Sequence, residues 1–526
     1  MPQVESGINQ MEYTLGIDLG TTGVKVLLLS ERGEIAASGS GEYPLLTPKP
    51  DWAEQEPERW WLSTVSAVKM CLDAARNVTG KKISIAAVGL SGQMHGSVFL
   101  DDRGDVLRPA ILWNDQRAVD QCRQISGRVG TVKLIELTSN RALSGFTAPK
   151  VIWLKQNEPE VYSKVSKILL PKDYIRYRLT GTFATEVSDA SGTLLFNVRE
   201  RKWSGEMLNA LEIPCNWLPD CFESTKVSSH VSAGAARLTG LTAGMPVVGG
   251  GGDQAAGAVG NGIVNTGVAS CVIGTSGVVF WHCDSPSYDP QARLHSFCHA
   301  VPGKWHLMGV TLAAGGSLRW FRDNLCRDIK EEAEKKGGEP YVNIDGMAQG
   351  VPAGSEGLLF LPYLSGERTP YADANARGAF LGLSLRHTRE HMARSVMEGI
   401  TMSLKDCLEL GQQCGVIASR IVLSGGGARS KLWQQMAADI FEMEVARVGS
   451  DEGPAYGAAI LAAVGAGIHK SVEDACATYI SLKDARFPST AEVEKYRRLY
   501  GLYRGLYPAL KGFFNRDAAF IHRYSI

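Results

Sequence analysis

A strand, glycine turn and strand pattern occurs twice in this sequence, about half a chain apart. Gly20-Thr21-Thr22-Gly23 separates two apolar runs, and Gly274-Thr275-Ser276-Gly277 separates two more. A second pair of similar segments, VGLSGQ and IVLSGGG, follows in the same order, each at the end of an apolar run. Similar segments repeated in one order indicate an internal duplication. The sequence therefore predicts an α/β protein built from two related units.

The order of elements in the first unit is readable from hydrophobic periodicity. Three strands, TLGIDLG, GVKVLLLS and EIAASGS, are expected to form an antiparallel meander. Pro57 and Glu58 then begin a helix, and ISIAAVGLSG is a strand buried on both faces. A further strand, MPVVGGGGD, closes the unit. We place the units at residues 12–262 and 263–526, after a flexible tail at 1–11.

Composition argues against several functional classes. The 55 Lys and Arg residues balance 55 Asp and Glu residues, whereas nucleic-acid binding needs clustered positive charge. No run reaches the ~18 apolar residues of a membrane helix, and the N-terminus lacks the pattern of a secretory signal. The eleven cysteines show no CxxC spacing. We therefore expect reduced thiols, no structural metal, no membrane and no nucleic-acid partner, and a cytoplasmic location.

Glycine is the over-represented residue, and its position carries information. It accounts for 58 of the 526 residues (58/526 = 11%), against an average of about 7%. The clusters fall at the ends of apolar strands, at Gly20/Gly23, Gly89/Gly92/Gly96, Gly249–Gly252, Gly274/Gly277 and Gly425–Gly427. Glycine without a Cβ allows the backbone to approach a ligand closely. We expect a ligand cleft where these strands end.

The two hairpin turns are candidate phosphate sites. Each combines backbone N–H groups with hydroxyls, which suits an anion. One such turn is explained equally well as a tight hairpin, but two copies related by a repeat favour a shared grip on a polyphosphate. The candidate residues are Thr21, Thr22, Gly274, Thr275 and Ser276.

Two aspartates are candidates for the chemistry. Asp18 lies in the apolar strand LGIDLG, where a lone carboxylate needs a partner or a metal. It either caps its own turn or supports Mg²⁺ beside a nucleotide. Asp253 follows VVGGGG and begins a small-residue helix. It is either an N-cap or a general base that takes a proton from a substrate hydroxyl, and the two roles are compatible.

A third glycine loop, SGGGARS, joins a strand to a helix. Gly425, Gly426 and Gly427 would let an adenine or ribose pack against bare backbone. No GxxxxGK[ST] motif is present, so a nucleotide would not be held by a P-loop.

The charged run DIKEEAEKKGGE has both signs interspersed and is typical of a solvated surface segment.

With IDLGTTGVK, SGQMHG, ILWNDQR, GGGDQAAGA, IGTSG, FLPYLSGERTP and SGGGARS in order, the chain resembles the FGGY carbohydrate kinases from about Tyr13 to Ala466. It is most similar to members that phosphorylate D-xylulose. The resemblance implies two actin-like ATPase domains with ribonuclease-H-like cores that close on ATP and a sugar. It also implies ATP-dependent phosphorylation of the C5 hydroxyl of D-xylulose, with Mg²⁺.

The resemblance also assigns roles to residues. It implies that Asp253 is the catalytic base, that Asp18 lies near magnesium, and that Met94 and His95 contact the sugar. The hairpins would grip phosphate, and the SGGGARS glycines would bind adenosine.

Other polar residues are candidates from their own setting. Gln93 and His95 follow a buried strand at its glycine-marked end, where polar groups can reach a polyhydroxy ligand. Trp52 either stacks on a sugar face or anchors a buried loop. Asp115 and Arg117 are expected to form a structural ion pair near the sugar.

One departure from the family pattern affects the substrate. Many members that resemble this chain have asparagine after the catalytic aspartate, whereas this chain has Gln254. Its amide can bond a hydroxyl from one methylene further out, which leaves the sugar preference open. The alternatives are a kinase for ribulose, glycerol or another small-molecule ketose or polyol, and an actin-like nucleotide-dependent binding protein. Family members are often dimers, so a homodimer is compatible with the resemblance.

Overall fold

The computed structural model of the protein describes residues 11–79, 83–449 and 452–524. The tail predicted at 1–11 lies outside this range except for its last residue. Among the described residues, no helix is both long enough and apolar enough to cross a membrane.

The first large sheet has seven strands and contains the predicted meander. Glu12–Leu19, Gly23–Ser30 and Ile35–Glu42 are antiparallel neighbours. On its other side, Glu12–Leu19 pairs in parallel with Ser84–Gly92. The spatial order is Val227–His230, Pro246–Val248, Ser84–Gly92, Glu12–Leu19, Gly23–Ser30 and Ile35–Glu42, with Gly251–Gly252 also paired to Ser84–Gly92.

The second large sheet repeats the pairing around the first strand of the first sheet. Gly267–Ile273 pairs antiparallel with Gly277–Cys283 and in parallel with Ala418–Ser424. The spatial order is His295–Cys298, Trp305–Thr311, Gly277–Cys283, Gly267–Ile273, Ala418–Ser424, Glu444–Val448 and Leu482–Arg486. In both sheets the first strand lies between the antiparallel second strand and a parallel strand that comes later in the chain, Ser84–Gly92 in one sheet and Ala418–Ser424 in the other. The duplication predicted from the glycine turns is therefore confirmed.

Helices cover both sheets and form the connections. The helix predicted at Pro57 runs over Pro57–Thr79, and another long helix, Arg389–Gln413, is capped by Thr388. The other helices are Val119–Val129, Thr131–Thr138, Thr147–Asn157, Pro159–Tyr162, Pro171–Thr180, Val187–Ala190, Gly205–Leu211, Ala233–Thr239, Asp253–Gly260, Gly315–Leu325, Arg327–Lys335, Pro340–Gln349, Lys431–Phe441, Gly453–Gly465, Val472–Tyr479 and Thr490–Tyr524. Short strands outside the large sheets are Glu54–Gln55, Val98–Leu100, Ala110–Ile111, Lys167–Leu169, Ala184–Glu186, Phe196–Asn197, Lys202–Trp203, Asp220–Phe222, Leu359–Leu361 and Ala379–Leu381.

Two small-residue helices, Asp253–Gly260 and Gly453–Gly465, pack against each other at the centre of the molecule. A Cβ on Gly457 would lie 1.8 Å from the carbonyl oxygen of Ala256. The second helix also lies on the first sheet, where a Cβ on Gly16 would lie 2.0 Å from the carbonyl oxygen of Ala455. Glycine is required at these positions because any side chain would overlap backbone. A helix from the second half of the chain therefore covers the first sheet, and the division at 262/263 remains a prediction.

Surface and thiol predictions are also met. The charged run forms the helix Arg327–Lys335, in which Ala333 is the one buried residue. All eleven cysteines are free, and seven of them are buried. The charged segment and the cysteines therefore play the structural roles expected of them.

Candidate active site

The two candidate catalytic carboxylates flank the end of one strand. Asp18 lies opposite Ser91 in the parallel pairing, and Gly251 lies opposite the same serine on the other side. Asp253 follows two residues later, as the first residue of the helix Asp253–Gly260. Because three parallel segments end at one edge, the sheet brings together two aspartates that are 235 positions apart in the sequence (253 − 18).

Burial makes Asp253 a stronger base than an ordinary aspartate. Burial, together with the negative charge of Asp18, raises the pKa of Asp253 to about 7. The backbone N–H and side chain of Gln254 act in the opposite direction, with Nε2 at 3.4 Å from Asp253 Oδ1. A base whose pKa lies close to the working pH accepts a proton efficiently while remaining largely ionised.

Asp18 has the setting expected of a group that supports a cation. Burial raises its pKa to about 6, against the lowering effects of the Ser91 hydroxyl and the Lys25 ammonium group. Its Oδ1 is buried and has no hydrogen-bond partner. In the described part of the chain, no three His, Cys, Asp or Glu side chains cluster as a metal site. This single unsatisfied carboxylate oxygen fits Mg²⁺ held mainly by water and substrate phosphates.

The first hairpin is tied into the first unit. Its turn is closed by the Gly20 N–H, which donates to the Gly23 carbonyl at 2.9 Å. The Thr21 hydroxyl accepts from Trp113 Nε1 at 3.0 Å and donates to Gln93 Oε1 at 3.3 Å. Thr22 is exposed. The structure therefore leaves the side chain of Thr22 open while that of Thr21 holds the turn.

The second hairpin rests on the beginning of a helix. The N–H groups of Gly315 and Gly316, at the start of Gly315–Leu325, donate to the carbonyls of Gly274 and Thr275 at 2.7 and 3.0 Å. The side chain of Thr275 is exposed, and that of Ser276 is half-buried. The hairpin is thus fixed through its carbonyls, which leaves its hydroxyls available for a ligand.

A cavity of about 310 Å³ joins the two units. Asp253 lies on its wall, as do Gly425 and Gly426 of the SGGGARS loop. A Cβ on Gly427 would meet the Ile273 side chain at 2.6 Å, whereas a Cβ on Gly426 would meet nothing within 4 Å. The other lining residues are Gln254, Gly257, Ala258, Asn261, Ser270, Val272, Val278, Phe280, Ser424, Arg429, Gly453 and Pro454. The structure therefore brings the candidate base and the predicted adenosine loop to one cavity.

His95 is held as a neutral acceptor. Its backbone φ is 70°, in the left-handed region, and its Nδ1 lies 2.7 Å from the Gly192 carbonyl oxygen. Burial, together with the charges of Lys150 and Arg368, lowers the pKa of His95 to about 3. The neutral ring donates through Nδ1 to this carbonyl, so Nε2 is the acceptor. An acceptor of this kind suits a sugar hydroxyl.

The other two candidate residues of the SGQMHG segment, Gln93 and Met94, are packed inward. Met94 is buried against the backbone that precedes Asp253, since a Cβ on Gly252 would lie 2.9 Å from Met94 Cγ. The amide of Gln93 donates to Gln55 Oε1 at 3.1 Å and accepts from the Thr21 hydroxyl. Met94 thus lies beside the candidate base, while Gln93 links the segment to the first hairpin.

Trp52 is surrounded by protein groups. The Arg117 guanidinium carbon lies 3.5 Å from its ring centroid, and the Trp153 ring packs edge-on at 5.3 Å. Arg117 is almost fully buried and pairs with Asp115 at 2.7 Å. The predicted ion pair is confirmed. The contacts of Trp52 are those of the loop anchor, the second of its two predicted roles.

Two cationic side chains near the site were not among the predicted residues. Arg429 lines the cavity, and the charge of Arg368 acts on His95. Both lie in recognisable segments, SGGGARS and FLPYLSGERTP. Which side chains of these segments reach the site depends on how the two units pack, and no sequence pattern encodes that.

Comparison with known proteins fits this architecture. Residues 13–260 match the N-terminal domain of the FGGY family of carbohydrate kinases, and residues 269–466 match its C-terminal domain. The chain belongs to this family. This FGGY chain is 41% identical to a xylulose kinase from Bacillus subtilis (strain 168) over 504 residues, covering 95% of this chain and 98% of that protein.

Solved structures agree with the FGGY assignment. A ligand-bound xylulose kinase from Lactobacillus acidophilus superposes with a TM-score of 0.89 at 28% identity, covering 96% of this chain and 100% of that one. A gluconate kinase from the same organism gives 0.88 at 28% identity, covering 97% and 100%. The predicted fold, two actin-like α/β domains around a cleft, is confirmed. The chain is an ATP-dependent carbohydrate kinase, so the alternative of a binding protein without kinase activity is excluded.

Proposed function

We propose that this kinase phosphorylates D-xylulose at its C5 hydroxyl, with ATP as donor and Mg²⁺ as cofactor. The observation that carries the proposal is Asp253, a half-buried carboxylate whose pKa is raised to about 7, at the cavity shared by the two domains. Relatives named xylulose kinase, at 41% and 40% identity over almost the whole chain, support this sugar.

The chemical step uses Asp253 as general base. Its carboxylate takes the proton of the sugar hydroxyl while that oxygen forms a bond to the γ-phosphorus of ATP. The bond from the γ-phosphorus to the β,γ-bridging oxygen breaks, ADP leaves, and the proton passes from Asp253 to water. Such transfer depends mainly on positioning and electrostatics.

The phosphates are held by groups at the strand ends. The exposed hydroxyls of Thr22 and Thr275, the Ser276 hydroxyl and the backbone N–H groups of both hairpins bind phosphate oxygens. Thr21 positions the first turn through its own hydrogen bonds. Magnesium, when bound, neutralises charge on the transferring group, and Asp18 is the carboxylate that would hold it. Gly425, Gly426 and Gly427 provide the backbone surface for adenosine.

The sugar binds on the side of His95. Nε2 of this neutral ring accepts a hydrogen bond from a sugar hydroxyl, and Met94 packs between the sugar and Gly252. The half-buried Gln254 orients its amide toward Asp253 and a sugar hydroxyl. Trp52 and Gln93 support this side of the cleft indirectly. Trp52 contacts Arg117, and Gln93 accepts the hydrogen bond of the Thr21 hydroxyl.

A coupled ADP-release assay over a panel of substrates tests the proposal. The panel contains D-xylulose, D-ribulose, L-ribulose, glycerol and gluconate. We expect the highest kcat/KM with D-xylulose and a single 5-phosphate product by ³¹P NMR. A higher kcat/KM with another member of the panel would reassign the substrate. Gln254→Asn is the matched variant for sugar choice, because it shortens the amide by one methylene.

Assembly and location belong to the same proposal. We place the enzyme in the cytoplasm, with small-molecule substrates only, and the family resemblance is compatible with a homodimer. Light scattering of the purified chain decides the oligomeric state, because a homodimer gives about twice the 56.8 kDa mass of one chain and a monomer gives that mass itself.

A further inference from the structure

The candidate base directly follows a segment of backbone that carries no side chains. Four successive glycines, Gly249–Gly252, lead directly into Asp253, and all four are buried. Glycine loses more conformational freedom on folding than any other residue, and it has no side chain to pack. The placement of Asp253 must therefore come from groups that hold this backbone from outside.

Backbone groups hold part of the segment, through the carbonyls of Lys226 and Ser224 and the pairing of Gly251–Gly252 with the strand Ser84–Gly92. Side chains of one neighbouring region hold its two ends. The Gly252 N–H donates to the Ser188 hydroxyl oxygen at 3.0 Å. At the other end, Arg176 Nη1 donates to the Val248 carbonyl at 2.6 Å, and its Nη2 donates to the Gly249 carbonyl. The glycine segment is thus held at its first and last residues.

Ser188 and Arg176 belong to a buried charged cluster. Lys172 Nζ lies 2.6 Å from Asp173, 3.1 Å from Asp189 and 3.4 Å from Glu186. Glu186 accepts from the Ser188 N–H at 2.7 Å and from its hydroxyl at 2.9 Å. The side chains of all five ionisable members, Lys172, Asp173, Arg176, Glu186 and Asp189, have no exposure to solvent.

Stability alone does not account for such a cluster. Removing charges from water costs several kcal/mol per ion, and well-packed apolar residues in their place are often as stable or more stable. What a network of directed hydrogen bonds adds is a fixed geometry. Here that geometry is imposed on the backbone that carries Asp253.

We propose that Ser188, Glu186, Arg176 and Lys172 form a positioning cluster that holds Asp253 in place for proton transfer. None of the four is a catalytic residue, since they act through the backbone of the glycine segment. The inference rests on the proposed role of Asp253 as the base. A shift of about 1 Å in a reacting group can reduce turnover by about 10²-fold.

Ser188→Ala tests the proposal, with Ser204→Ala as the matched control. Both serines are buried and accept a backbone N–H, but Ser204 caps the helix Gly205–Leu211 through Met207. We expect Ser188→Ala to lower kcat by about 10- to 100-fold, with the KM for ATP within about twofold of wild type. Ser204→Ala should lose a similar amount of thermal stability and keep its kcat.

Hydrogen exchange provides a readout of the mechanism itself. The peptide covering residues 246–262 should exchange faster in Ser188→Ala than in wild type, and at the wild-type rate in Ser204→Ala. Equal kcat values for the two variants, or unchanged exchange in this peptide, would overturn the positioning role. If Ser188→Ala does not yield folded protein, Glu186→Gln tests the same link with a side chain of the same shape.

Asp253→Asn separates this proposal from the one on which it rests. If Asp253→Asn has near-normal turnover, the base assignment fails. If Asp253→Asn is inactive and Ser188→Ala behaves like Ser204→Ala, the positioning role fails and the base stands. In the double variant, the loss caused by Ser188→Ala should disappear, because no base remains to be positioned.

Discussion

Asp253→Asn should make the ligand-free protein more stable at alkaline pH. In the folded protein, burial raises the pKa of Asp253 from the ordinary value of 3.8 to about 7. The carboxyl group therefore ionises less readily in the folded chain than in the unfolded chain, and it contributes a destabilisation that increases between these two pH values. Above pH 7 the full cost is present, whereas below pH 4 there is none.

The magnitude follows from the difference between the two pKa values. At about 1.4 kcal/mol per pH unit, the cost is about 4 kcal/mol at pH 8 and about 1.6 kcal/mol at pH 5. The stability gained by Asp253→Asn should therefore grow by about 3 kcal/mol between pH 5 and pH 8. At about 2 °C per kcal/mol for a domain of about 250 residues, the difference in Tm should increase by about 6 °C.

Differential scanning fluorimetry of wild type and variant at both pH values measures this increase. Asp289→Asn is the control, because burial raises the pKa of Asp289 but the hydrogen bonds from Arg293 outweigh it and hold the pKa below its usual range. That carboxylate is ionised in both states at pH 5 and pH 8, so its variant should lose the same stability at both. A Tm difference for Asp253→Asn that is equal at the two pH values would refute a desolvated Asp253.

Three further predictions follow from single contacts. Asp18→Asn should lower kcat and move the acid limb of the kcat/KM profile to lower pH, because the charge of Asp18 raises the pKa of Asp253. An acid limb at the wild-type pH would mean that the two carboxylates do not interact. Gly427→Val should weaken ATP binding, measured by calorimetry, by at least about tenfold without changing sugar binding, since its Cβ would lie 2.6 Å from the side chain of Ile273. Unchanged ATP affinity would mean that this loop is not part of the nucleotide site. Gly457→Ala should lower Tm by more than about 10 °C, since its Cβ would lie 1.8 Å from the carbonyl oxygen of Ala256. The control Gly501→Ala should leave Tm unchanged, because its Cβ would meet nothing within 4 Å. Equal Tm values for the two variants would contradict the close helix contact.

Local patterns in the sequence were sufficient to predict the repeated architecture. Alternating apolar strands and glycine turns define each meander, and the parallel strand that follows is recognisable from its continuous apolar residues. Asp18 and Asp253 stand out because each ends an apolar strand. Parallel strands that end at one edge then bring the two carboxylates together.

Long-range packing is the part that the sequence did not disclose. Nothing in the local sequence indicates that the helix Gly453–Gly465 covers the first sheet. The burial of Lys172, Asp173 and Glu186 was also missed, because charged residues are expected at the surface unless their partners are known. Similarly, the occupied amide of Gln93 depends on Gln55, a residue far away in sequence.

Turnover of D-xylulose by wild type and Asp253→Asn is the most direct test of the central claim, that Asp253 is the base of a D-xylulose kinase. Formation of xylulose 5-phosphate is followed by ³¹P NMR, and nucleotide binding is measured by calorimetry on the same samples. We predict that wild type forms the product and that Asp253→Asn forms it at least about 10²-fold more slowly, with ATP affinity within about threefold. Near-normal product formation by the variant would contradict the account.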